Sequence, residues 1–78
     1  MKVIIYTAPN CVYCQMAKDF FSKKGVSYEE KDVSYDQGAF GEMVKKSHQK
    51  GVPVIDINNE VFVGFNRNDI EKILKILK

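Results

Sequence analysis

The chain has no tryptophan, and its 78 residues include only two prolines, two cysteines and one histidine. Each shortage excludes something. Two cysteines cannot build the disulfide framework of a small secreted fold. A structural zinc centre takes four ligands, and besides Cys11 and Cys14 the chain offers only His48 as a soft ligand, so no metal site is expected. Long apolar runs are missing too. The stretch Val3-Ile4-Ile5-Tyr6 is shorter than the apolar core of a signal peptide, about 7–15 residues. Nothing approaches the roughly 18 residues of a membrane span. The expectation is a cytoplasmic protein with no membrane partner, and in the cytoplasm a disulfide is usually transient and catalytic. Charge of one sign is also lacking. Twelve basic against ten acidic residues leave a net +2, too little to draw in nucleic acid or an anionic membrane. The densest basic stretch, residues 45–50, holds three lysines. It reads as a solvated helix face, with a contribution to anion binding as the second reading.

What is present is enough for a folded core. The hydrophobic share is 45%, with five Phe and four Tyr, well above the apolar content of disordered chains. A chain this short is expected to form one domain over residues 1–78, to be a monomer, and to bury only about 60% of its unfolded surface.

Strand-like and helix-like segments alternate, which predicts an α/β domain. Residues 2–7 read as a central strand, because a continuous apolar run suits burial on both faces. Pro9 and Asn10 interrupt it. A helix is expected over about 11–24, with Cys14, Ala17, Phe20, Phe21 and Lys24 on one stripe and Gly25 as its left-handed cap. Residues 27–33 read as a second strand, and Glu29, Glu30, Lys31 and Asp32 suit a sheet edge. A second helix over about 36–49 places Phe40, Met43, Val44 and Ser47 on one face. Gly38 and Gly41 weaken its start, and Gly51 is its expected cap. Residues 52–57 and 60–63 form two short strands around Asn58-Asn59, a pair that tolerates a tight hairpin. The last helix opens at Asn66, with Asp69 three residues on in an imperfect capping box, and Ile70, Ile73, Leu74 and Leu77 as its buried stripe. The first two strands should be parallel through a right-handed crossover, and the last two antiparallel. Three helices then cover a four-stranded mixed sheet.

The chemistry-bearing motif is Cys11-Val12-Tyr13-Cys14, which follows a strand and opens a helix. A thiolate is the nucleophile in disulfide exchange, and an ordinary thiol, with a pKa near 8.5, is mostly protonated at neutral pH. Unpaired N–H groups and the positive dipole end at a helix start favour an anion, so Cys11 should be acidified. Side chains at i and i+3 lie about 5–6 Å apart at Cβ, whereas a disulfide needs about 3.5–4.5 Å. A first turn can tighten enough to close that gap. Cys14, one turn deeper on the buried stripe, should be shielded and suits the resolving role. The bland alternative is a pair of inert structural cysteines, which more often sit in mid-element.

Two further features have two readings each. Pro53 is either a trans proline at a strand start or part of a cis Val52–Pro53 bond that exposes the Val52 backbone to a bound thiol. Gly64-Phe65 is either a plain turn with Phe65 packed inside or a helix-start nest for a carboxylate, with Asn66, Arg67 and Asn68 adding polar contacts. The residues alone favour the plain turn.

With those motifs in place the chain resembles the glutaredoxin family over nearly its whole length. Thr7-Ala8-Pro9-Asn10-Cys11-Val12-Tyr13-Cys14 is similar to the family's active-site segment. Ser47-His48-Gln49-Lys50-Gly51-Val52-Pro53-Val54-Ile55 is similar to the segment leading to its cis proline. Gly64-Phe65 stands where the family has a Gly pair. The resemblance implies the thioredoxin fold with strand order 2-1-3-4, a cis Pro53, and no bound cofactor. It implies a dithiol oxidoreductase acting on protein disulfides or glutathione mixed disulfides. It also implies that Tyr13, Val52, Pro53, Gly64, Phe65, Asn66 and Arg67 hold the substrate or glutathione, with Gln49 and Lys50 near the far carboxylate. Ala8 replaces a common basic residue, Val12 a common proline, and Phe65 the second glycine, and an acidic residue near Arg67 is missing. Val12 and Gly64-Phe65-Asn66-Arg67 are closer to NrdH-type redoxins, which take electrons from thioredoxin reductase and reduce ribonucleotide reductase. Tyr13 and Gln49-Lys50 point back to glutaredoxins proper. External glutathione or a thioredoxin-reductase-type donor therefore both remain open. The alternatives of another class are an iron–sulfur-binding module and a redox sensor that docks a partner through Tyr13 or Phe65.

Overall fold

A computed structural model describes residues 1–77, the side chain of Leu77 excepted. The elements run β1 (Val3–Thr7), α1 (Val12–Lys23), β2 (Glu29–Asp32), α2 (Gln37–Ser47), β3 (Val54–Ile57), β4 (Glu60–Val63) and α3 (Arg67–Leu77). The sheet order is β2-β1-β3-β4. β1 pairs parallel with β2, with Ile4 opposite Glu29 and Tyr6 opposite Lys31. It pairs antiparallel with β3, with Val3 opposite Ile57 and Ile5 opposite Ile55. β3 and β4 are antiparallel. This is the thioredoxin-fold arrangement expected from the sequence.

The unbroken apolar run of β1 is explained by two cores. Successive strand residues point to opposite faces. Val3 and Ile5, with Ile55 and Ile57 of β3, pack against Ala17, Phe20 and Phe21 of α1 and Ile70 and Leu74 of α3. Ile4, Tyr6 and Val54 pack against Met43 of α2, with Phe40 and Val44 partly buried beside it. The sheet is therefore the middle of three layers. Each fully buried Ile or Phe contributes about 1.5–3 kcal/mol of transfer free energy, and with so few layers the central strand supplies much of it.

Element ends follow local chemistry. α1 ends in a Schellman motif: the N–H of Gly25 donates to the Ser22 carbonyl at 3.1 Å and that of Val26 to Phe21 at 2.9 Å. Gly25 has φ 69°, which a residue with a Cβ adopts only under strain. Lys24, expected on the buried stripe, is instead exposed, with its ammonium 5.6 Å above the Phe20 ring. α2 differs from expectation at its end. His48, not Gly51, takes the left-handed cap at φ 60°, and its N–H donates to the Val44 carbonyl. Asp36 caps the start through the Ala39 N–H at 3.0 Å. Asn58 and Asn59 both have positive φ, the geometry of a two-residue primed turn. β3 starts at Val54 and not at residue 52, because Pro53 has no N–H for the ladder. On α3, Ile70 and Leu74 are buried and Ile73 packs beside them. The expected burial of Leu77 lies outside the described residues.

Candidate active site

β1 delivers the chain to one end of the sheet, and the turn at Pro9-Asn10, with Asn10 at φ 61°, swings it into α1. Cys11 is the N-cap, in extended conformation at φ −100° and ψ 107°. Its Sγ accepts the Cys14 N–H at 3.2 Å, and its carbonyl accepts the Gln15 N–H at 3.1 Å. The sulfur of Cys11 thus does what a Ser or Asp oxygen does at other helix starts, and an anionic sulfur does it better. The helix proper begins at Val12, one residue later than expected, because the capping residue stands outside it. Cys11 and Cys14 are joined by a disulfide, with Cα atoms 5.2 Å apart. Cys11 is half-buried, whereas Cys14 is 1% exposed. Cys11 is thus the more accessible residue of the pair.

All seven residues that the family resemblance assigns to substrate binding line one groove of about 530 Å³, beside the cysteine turn. Tyr13 forms one wall. Val52 and Pro53, whose peptide bond is cis, line it too, together with residues 64–67 at the start of α3. Gly64, at φ 80°, donates its N–H to the Pro53 carbonyl at 2.8 Å, which extends the β3–β4 pairing past Val54 and Val63. Phe65 meets the plain-turn reading, its ring packing edge-on against Phe20 at 5.6 Å, and it also lines the groove. Asn66 caps α3, its Oδ1 accepting the Asp69 N–H at 3.2 Å. Arg67 Nε donates to Glu71 Oε1 at 3.0 Å, and its guanidinium lies 5.7 Å above the Phe20 ring.

Gln49 and Lys50 do not join this group. Gln49 closes its own turn instead, accepting the Gly51 N–H at 2.6 Å and donating to the Gly51 carbonyl at 3.0 Å, while Lys50 is exposed. Asn68, named from the sequence as a polar contact beside Asn66 and Arg67, also lines the groove, as does Val63, which was not singled out. Val63 carried a usable signal: as the last residue of a strand, beside Gly64, it is apolar yet 57% exposed.

Two polar networks were also not foreseen. On the α1 face of the sheet, Glu30 Oε2 accepts from Lys18 Nζ at 2.9 Å and from Thr7 Oγ1 at 3.1 Å. The Lys18 hydrogen bond holds the Glu30 carboxyl below its usual range. On the α2 face, the Tyr6 hydroxyl donates to Glu42 and accepts from Lys46 Nζ at 2.9 Å. Lys46 also donates to Asp56 Oδ2 at 2.7 Å, and Lys31 to Glu42 at 2.8 Å. Burial, then the bond to Glu42, raises the Tyr6 phenol, while the bonds from Lys31 and Tyr6 lower Glu42. Burial disfavours the charge on Lys46, but its bonds to Asp56 and Tyr6 outweigh that and hold it above the usual lysine range. Among the described residues, no three His, Cys, Asp or Glu side chains converge where they could hold a metal ion, and no helix is long and apolar enough to cross a membrane.

Comparison with known proteins bears on this geometry. The glutaredoxin family model matches residues 3–62. A glutaredoxin-like 8.6 kDa protein of the rubredoxin operon of Clostridium pasteurianum is 35% identical over 71 residues, covering 91% of this chain and 95% of the relative. Glutaredoxin 3 of Escherichia coli K12 is 41% identical over 56 residues, covering 72% of this chain and 68% of the relative. The solved structure of NrdH-redoxin from Escherichia coli, a glutaredoxin-like protein with a thioredoxin-like activity profile, superposes with a TM-score of 0.80 at 25% identity, covering 92% of this chain and 93% of that one. A closable cysteine pair at a helix mouth, on a fold and a sequence shared with these proteins, places the chain in the glutaredoxin family as a thiol–disulfide oxidoreductase.

Proposed function

We propose that this protein is a cytoplasmic, monomeric dithiol electron carrier in which Cys11 attacks and Cys14 resolves. The observation that carries the reading is the asymmetry of the pair: one sulfur half-open at the helix mouth, the other buried one turn deeper. In the reduced protein the Cys11 thiolate attacks a substrate disulfide. The substrate S–S bond breaks, a Cys11–substrate disulfide forms, and one substrate thiolate leaves. Cys14, as thiolate, then attacks Cys11 Sγ. The second substrate thiol leaves, and the protein keeps the Cys11–Cys14 disulfide, having passed on two electrons. An external thiol donor reverses the last steps.

Tyr13 and Phe65 give the groove apolar walls, Val52 and Pro53 its backbone edge, and Gly64, Asn66 and Arg67 its polar rim. Such a groove suits an extended segment around a cysteine, as in a protein disulfide or a glutathione mixed disulfide, and ribonucleotide reductase is one protein substrate of that kind. For the donor we favour a thioredoxin-reductase-type enzyme over glutathione. Gln49 is occupied in its own turn and Arg67 is shared with Glu71, which leaves few free partners for a second carboxylate. The NrdH-redoxin neighbour points the same way.

Two experiments test this. Cys11→Ser is expected to abolish disulfide reductase turnover, while Cys14→Ser accumulates a mixed disulfide on Cys11 visible by mass spectrometry. Full activity of Cys11→Ser contradicts the assignment. A coupled assay comparing thioredoxin reductase with glutathione plus its reductase identifies the donor; faster recycling by glutathione overturns the donor preference alone.

A further inference from the structure

A second groove, of about 560 Å³, lies on the other side of the cysteine turn and is lined by residues 8–10, both cysteines, Gln15 and Lys18. Lys18 is the one charged residue in that lining. It stands four residues beyond Cys14 and seven beyond Cys11, spacings that share a helix face. Side chains on a helix lean towards its N-terminus, and Lys18 lines the same groove as both cysteines. It is not a loose surface group. Its side chain is only 22% exposed, and its ammonium is pinned by Glu30, which Thr7 holds in turn. The carboxylate comes from the edge strand β2, so two elements fix the position of one cation beside the reactive turn.

We propose that Lys18 is a positioning residue for the known exchange chemistry: its ammonium, at a place and an effective charge set by Glu30, adjusts the acidity of Cys11. This rests on Cys11 being the attacking thiol. A cation near a thiolate stabilises it, and a carboxylate bound to that cation offsets part of the effect. Position 8, which also lines this groove, is alanine, so the cation of the groove comes from the helix and not from the preceding loop. Of the charged groups on the other elements around the turn, Asp32 of β2 is hydrogen-bonded by Ser34 and feels Lys18 only as a minor, through-space charge, and Arg67 of α3 donates to Glu71. Lys18 and Glu30 are therefore the pair whose removal should move the thiol in opposite directions.

The test is the rate of iodoacetamide alkylation of the reduced protein against pH, with the modified residue mapped by mass spectrometry, in wild type, Lys18→Met, Lys18→Arg and Glu30→Gln. Lys18→Met is expected to raise the Cys11 midpoint and slow alkylation at pH 6 by about three- to tenfold, the rate change that half to one pH unit carries. Glu30→Gln, which leaves the lysine charge unopposed, is expected to lower the midpoint. Lys18→Arg keeps the wild-type profile. Loss of fold or loose packing would move Lys18→Met and Glu30→Gln in the same direction. A common direction, or a Lys18→Met profile that overlays the wild type, overturns the proposal. Label found on Cys14 before Cys11 would instead overturn the assignment of the attacking thiol.

Discussion

The two faces of the sheet each carry a polar network, and the two networks do different things. On the α2 face, Tyr6 and Asp56 are buried, with 0% and 3% exposure, and Lys46 reaches in from the helix to both. The groove that both cysteines line includes none of these groups. On the α1 face, Glu30 and Lys18 are more exposed, with side chains 42% and 22% accessible, yet Lys18 shares a groove with both cysteines. Depth and function are thus separated. The deep network holds a helix to the sheet, and the shallow one borders the chemistry. A buried charge pair is costly to break because the partner left behind is neither solvated nor paired, while an exposed pair contributes about 0–1 kcal/mol.

That contrast can be broken by mutation. The largest effect on stability is expected from Asp56→Ala, which takes from Lys46 its carboxylate partner, leaving it the Tyr6 hydroxyl, and strands the Asn59 N–H that Asp56 Oδ1 accepts at 2.8 Å. A loss of about 2–4 kcal/mol in urea unfolding is expected, with turnover per folded molecule unchanged. A stable variant with impaired turnover would show that the deep network serves the chemistry after all. Tyr6→Phe should follow at about 1–2 kcal/mol, since Glu42 and Lys46 each keep another partner.

Acid sharpens the comparison. Glu30 and Glu42 are both held below the ordinary 4.5. A carboxylate depressed in the folded state contributes its full stability above its unfolded pKa and loses it as pH falls through the folded one. Stability should therefore be level near neutrality and fall below about pH 4.5, a decline that Glu42→Gln makes shallower by less than about 1 kcal/mol, since its carboxylate is partly solvated. Guanidinium midpoints measured from pH 7 to pH 3 check this; an unchanged slope in the variant would remove Glu42 from the account. The smallest effect on stability should come from Glu30→Gln, within about 0.5 kcal/mol, although the same change shifts thiol reactivity.

Much of this was legible in the sequence, for identifiable reasons. The apolar run of residues 3–6 required a strand covered on both sides, and the structure supplies helices on both. Charges at 29–32 marked the sheet edge, and Asn58-Asn59 marked the hairpin. Cys11 at a helix mouth and Cys14 on its buried stripe were readable from spacing alone. The left-handed cap at His48 was not, because nothing local prefers histidine over the glycine three residues on. The deep network was hidden because Asp56 sits in Val54-Ile55-Asp56-Ile57, where strand periodicity gives its face but not the lysine that crosses from α2. Lys18 carried no local signal, since its setting depends on a carboxylate brought alongside from another strand.

The central claim is that the sulfur at the helix mouth is the acidic, attacking one. Brief alkylation of the fully reduced wild-type protein near pH 6, followed by peptide mapping, tests it directly. The account predicts label on Cys11 with Cys14 left free; label shared equally between the two, or found first on Cys14, would contradict it.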